Sequence, residues 1–167
     1  MSNAPTNVSD YEATQTTTRG GVRPMSNAPT NGSDYDAITK TIQPYIDGAK
    51  SGRGADMKPA FHKEATIFGY AGTDLFAGPI QKLFEWNDQN GPATGLQARI
   101  ASIDIIGTIA TVRLELDDWT GHRYTDLFTM LKVDGQWKIM NKVFHLHPEG
   151  VASGVAETRA TEEVDLL

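Results

Sequence analysis

The chain has 167 residues, 39% of them hydrophobic and 22% charged, with a formal net charge of −6. That is the composition of an ordinary globular protein, with room for one domain plus tails. The 15 Lys and Arg are scattered rather than run together, which argues against DNA or RNA, and the absence of cysteine excludes disulfides, thiolate nucleophiles and Cys-based zinc sites.

Met1 to Tyr11 (MSNAPTNVSDY) and Met25 to Tyr35 (MSNAPTNGSDY) are near-copies that differ at Val8 and Gly32. A local duplication or a doubled start explains them better than a stacked repeat, because neither copy has an apolar face. Residues 1–32 are polar and carry Pro5, Pro24 and Pro29, so they read as a disordered tail. They also lack the apolar core of a secretory signal. With no apolar stretch near the ~20 residues that span a bilayer, the expectation is no membrane and a cytoplasmic location.

The expected domain runs over 33–148. Ser33-Asp34-Tyr35-Asp36 reads as a helix start, and Ile38, Ile42, Tyr45, Ile46 and Ala49 then fall on one helical face. Pro44, inside that pattern, should kink the helix. A short second helix carries Met57, Ala60 and Phe61. Two short strands, 65–70 and 74–77, flank the Ala71-Gly72-Thr73 turn. Gly78-Pro79 opens a third helix, which Asn90-Gly91-Pro92 stops. Four long strands follow, over 97–106, 108–119, 123–133 and 136–147, separated by Gly107, Thr120-Gly121 and Asp134-Gly135. Helices first and strands later make an α+β pattern. Residues 149–167 form an acidic tail.

Three stretches carry a resemblance to the nuclear transport factor 2-like, or SnoaL-like, superfamily: Ala60-Phe61-His62-Lys63-Glu64-Ala65-Thr66-Ile67, Tyr124-Thr125-Asp126-Leu127-Phe128, and Asp134 to Phe144. The last is most similar to the small bacterial branch labelled "putative lumazine-binding". The resemblance implies a cone: a curved antiparallel or mixed sheet wrapped by three N-terminal helices around an apolar pocket, a cystatin-like α+β barrel. It also implies dimerisation through the outer sheet face. The residues independently suggest this, because Leu127, Phe128, Met130 and Leu131 make both faces of one strand apolar.

The carboxylates of the superfamily's isomerases have no match, since their positions fall near Phe68 to Tyr70 and at Thr129. What remains is Lys142, which the resemblance places on the pocket wall in phase with Met140 and Phe144. There it can act as a base or an amine nucleophile. Asp126 is its candidate partner. A three-residue loop at Val133-Asp134-Gly135 would set it across from Lys142, and a two-residue turn would turn it away. Tyr70 and His62 complete the candidate catalytic set. Tyr45, Trp86, Phe144, Met140 and Asp118 are the candidate ligand contacts. His145 and His147 share a strand face, but no ligand cluster supports a metal, and no cofactor is expected. Three functions stay open: acid–base chemistry on a small apolar or aromatic substrate (isomerase, dehydratase or hydrolase type), binding of such a molecule without turnover, and a dimeric interaction protein with a filled pocket.

Overall fold

A computed structural model describes residues 32–149; the duplicated segment in 1–31 and residues 150–167 of the acidic tail lie outside the described residues. Helix α1 (Gly32–Ser51) begins one residue before the expected start and continues through Pro44. Its face of Ile38, Ile42, Tyr45, Ile46 and Ala49 is buried, as its spacing requires. The carboxylate of Asp34 in its first turn accepts bonds from Lys132 Nζ at 2.8 Å and Trp137 Nε1 at 3.0 Å, fixing the helix end to the sheet.

Helix α2 (Gly54–Met57) and a 3-10 turn (Lys58–Ala60) lead into β1 (Phe61–Ala71). Phe61, expected at the end of the short helix, is instead the first strand residue. Pro59 sits in the 3-10 turn, and Phe61 itself is extended, with φ −105° and ψ 148°. Strand β2 (Asp74–Pro79) outlasts the expected strand and carries Pro79 out of the helix that follows, α3 (Gln81–Asn90). An edge strand tolerates a proline because no outer neighbour needs its missing N–H.

The remaining strands are β3 (Gln97–Ile106), β4 (Ile109–Trp119), β5 (His122–Val133) and β6 (Gln136–Leu146). Their hairpins close through two-residue turns. Thr120-Gly121 and Asp134-Gly135 both take positive φ at each turn position, the conformation that matches the twist of paired strands. One six-stranded sheet results, in the order β2-β1-β6-β5-β4-β3, antiparallel throughout except for the β1–β6 pair. Helices cover its inner face, and the core lies between them.

Two irregularities decide what faces that core. On β6, Met130 pairs with Ile139 but Thr129 pairs with Asn141, so Met140 is an extra residue. Inward positions therefore change from Trp137 and Ile139 to Lys142 and Phe144. On β4, Leu116 pairs with Tyr124 and Trp119 with His122, and Asp118 takes φ 60° in the bulge between them. The inward series Ala110, Val112, Leu114 and Leu116 thus ends in Trp119 instead of Asp118.

Candidate active site in the cone

Three elements meet behind one buried amine. Lys142 on β6 lies directly opposite Phe128 on β5, which puts Asp126 on the same face one diagonal step away. Tyr45 arrives from the buried face of α1. Tyr45 and Asp126 are fully buried, and Lys142 is 2% exposed. The Tyr45 hydroxyl donates to Asp126 Oδ2 at 2.6 Å, and Lys142 Nζ donates to Asp126 Oδ1. The ammonium also sits 5.4 Å from the Tyr45 ring centroid and 5.2 Å from that of Phe144, within cation–π range.

Burial dominates the acid–base behaviour of this group. It draws Lys142 below its ordinary value, against the opposing charge and hydrogen bond of Asp126. It pushes Tyr45 well above the ordinary tyrosine range, and the Asp126 charge adds to the rise, so this hydroxyl stays a donor. Tyr124 is raised as well, by burial and then by Asp126.

Lys142 opens onto a cavity of about 60 Å³. Ile67 and Ala71 of β1, Phe76 of β2, Leu83 and Trp86 of α3, Trp119 of β4, Tyr124 of β5 and Phe144 of β6 form the rest of its wall. Trp86 and Trp119 meet edge to face at 5.6 Å, and Phe144 packs the same way against Tyr124 at 6.2 Å. A water needs roughly 10–15 Å³ of such space, so the cavity admits several waters or one small molecule.

The structure sorts the candidates from sequence. Lys142, Trp86 and Phe144 share the cavity wall, and Asp126 and Tyr45 stand immediately behind the amine. Four others lie elsewhere. Tyr70 is 61% exposed, because the inward residues of β1 are Ala65, Ile67 and Gly69 and alternation turns it outward. His62 accepts the Glu64 backbone N–H at 3.2 Å, at the far end of that strand. Met140, as the bulge residue, lies against Ile106, Ile109 and Thr129 on the outer face, out of phase with Lys142. Asp118 spends its carboxylate on the Gly121 N–H at 3.0 Å and is exposed at the turn. Of the two turns left open at Asp134-Gly135 the structure has the two-residue one, and Asp126 still reaches Lys142 instead of facing away, because the Met140 bulge restores the phase. The buried acid on the inner face of β5 is Asp126, while Thr129 faces out. Trp119 and Tyr124 were missed; for Tyr124 the signal was its shared phase with Asp126. Among the described residues no group of three His, Cys, Asp or Glu is arranged to hold a metal, although the His145 and His147 rings lie 4.7 Å apart.

A six-stranded mixed sheet closed by helices around a lined cavity defines the nuclear transport factor 2-like, cystatin-like α+β class. The family model described as "putative lumazine-binding" matches residues 33–145, and the chain belongs to that family. A nuclear transport factor 2-like protein of unknown function from Methylobacillus flagellatus has a similar structure, with TM-score 0.70 and 50% identity over 72% of this chain and 97% of that one. A counterpart from Shewanella baltica gives TM-score 0.67 and 42% identity over 70% and 95%. A protein of Cladobotryum named "Aldolase FrzH" is 32% identical over 105 residues, covering 62% of this chain and 84% of that protein.

Proposed function

We propose that this protein is an enzyme that moves protons on a small, largely apolar molecule held in the cavity. Lys142 is the group that touches the substrate, and Asp126 and Tyr45 position it. The observation that carries this reading is a buried amine on the wall of an apolar cavity, backed by a carboxylate that is itself held by a hydroxyl. Burial favours the neutral amine, the form that can accept a proton. The name of the Cladobotryum relative supports the same chemistry, since an aldol reaction removes a proton beside a carbonyl.

A second reading is binding without turnover, supported by the apolar lining and by the family description "putative lumazine-binding". Trp86 and Phe144 leave only about 60 Å³, so a heteroaromatic ligand enters only if the wall moves. We further propose that the protein is a homodimer joined through the outer sheet face, which carries Phe68, Leu127 and Val143 exposed in one row.

The test is to incubate small ketones and aldehydes with the protein in deuterated water and follow loss of their α-proton signals by NMR, with thermal shift reporting binding. A ligand at ~100 times its dissociation constant stabilises by ~2.7 kcal/mol, a shift on the order of several degrees. Exchange that disappears in Lys142→Met is the expected result. Binding without exchange moves the protein to the second reading, and exchange untouched by the substitution removes Lys142 from the chemistry.

A further inference from the structure

Among the described residues Lys142 is the one charged group on the cavity wall, which carries no carboxylate and whose other polar side-chain atoms belong to Tyr124, Trp86 and Trp119. Such a lining fits an uncharged, largely apolar molecule with a group that an amine can attack. So small a cavity gives such a molecule few apolar contacts, and non-covalent holding there would be weak. A covalent bond to the amine overcomes that limit.

We infer that Lys142 forms an imine with a small uncharged ketone or aldehyde held in this cavity. The inference rests on the proposal that Lys142 works in this cavity, and deepens it by naming the substrate class. In the first step Asp126 takes one of the three ammonium protons, freeing the nitrogen lone pair. That pair forms the C–N bond while the carbonyl π electrons move onto oxygen. The nitrogen passes one proton to the oxygen, regains one from Asp126 and passes that on as well, so that the oxygen leaves as water. The nitrogen lone pair closes the C=N bond. The products are a protonated imine, one water and the original Asp126 carboxylate, and hydrolysis reverses the sequence. The protonated imine is an electron sink that acidifies the adjacent C–H, which connects it to the proton chemistry proposed above.

The experiment treats the full chain with butanone and sodium borohydride, followed by intact-mass and peptide mapping. Hydride reduces the imine to a stable secondary amine, so the expected product is one butyl group per chain, on the peptide containing Lys142. Trapping should accelerate as pH rises, with its midpoint below 10.5, the ordinary lysine value. An adduct absent from Lys142, or spread over exposed lysines such as Lys63 and Lys82, overturns the inference. The wild-type map decides this even if Lys142→Met fails to fold. Deuterium exchange without an adduct would sink the imine and leave the proton-transfer reading standing. An adduct without exchange would do the reverse.

Discussion

At the scale of single residues, Asp126 is the hinge of the site because two neighbours depend on it. Its two oxygens accept from the Tyr45 hydroxyl and the Lys142 ammonium, and neither oxygen reaches bulk water. Asp126→Asn would leave a buried charge without its counter-charge, a loss of about 3–5 kcal/mol. Tyr45→Phe removes one bond but keeps the edge-to-face contacts with Phe61, Trp119 and Phe128, and should cost about 1–3 kcal/mol. Urea unfolding should therefore rank the two with Asp126→Asn clearly worse, and a double Asp126→Leu, Lys142→Met variant should recover much of the loss. Equal costs for the two single variants would mean that the ion pair contributes little. A second buried carboxylate, Glu115, contributes to the loss of stability in acid. Burial alone would raise it, but the Thr125 hydroxyl at 2.7 Å, Arg113 at 2.6 Å and Arg123 at 3.5 Å together hold it below its ordinary 4.5. A lowered folded value means that the unfolded chain binds the proton more readily, so Glu115 stabilises above pH 4.5 and that contribution is lost as pH falls through the folded value. Melting temperature followed from about pH 6 to about pH 3 should fall, and Glu115→Gln should flatten the fall.

At the scale of elements, the site depends on how strands approach and where they slip. Gly69 of β1 pairs in parallel with Phe144 of β6, and a Cβ there would stand 2.4 Å from the Phe144 ring. Gly69→Ala must therefore push a wall residue of the cavity, at an overpacking cost of about 1–3 kcal/mol. The expected result is a folded protein in which butanone trapping at Lys142 falls at least tenfold; unchanged trapping would show that the ring yields away from the cavity. The strands themselves were legible in the sequence. β-rich runs broken by Gly107, Thr120-Gly121 and Asp134-Gly135 give β3 to β6 nearly to the residue, and the spacing of Ile38, Ile42 and Tyr45 gives the buried face of α1. The bulges were not. An alternating pattern carries its phase forward only until an extra residue enters, and Met140 and Asp118 are unremarkable side chains at the two positions where the phase changes. Unbroken alternation therefore pairs Lys142 with Asp126 without fixing their register, puts Met140 on the pocket wall and leaves Trp119 without a signal. Each bulge sets which residue after it meets the cavity, Lys142 on β6 and Trp119 on β4.

At the scale of the whole molecule, the sheet has two faces and the helices cover one. On the uncovered face Phe68 pairs with Val143 and Val143 with Leu127, a row across β1, β6 and β5 in which the three side chains are 42%, 43% and 53% exposed. Ile106 and Ile109 extend the apolar surface toward β3, beside a groove of about 290 Å³ that they share with Leu131 and Met140. A monomer rarely leaves so continuous an apolar surface to water, and a self-complementary row across the middle of a sheet suits a two-fold contact with a second copy. Leu127 ends the row on β5, with Arg113 beside it in β4. Leu127→Arg would set an unpaired guanidinium from each copy into the contact, so light scattering should report the mass of a dimer for the wild type and of a monomer for the variant, with the far-ultraviolet circular dichroism unchanged. A wild type that scatters as a monomer at every concentration would end the dimer proposal. Lys142 opens to the other face of the same sheet, so the monomeric variant should still trap butanone; loss of trapping in a folded monomer would mean that the sheet needs its partner to hold the curvature that shapes the cavity.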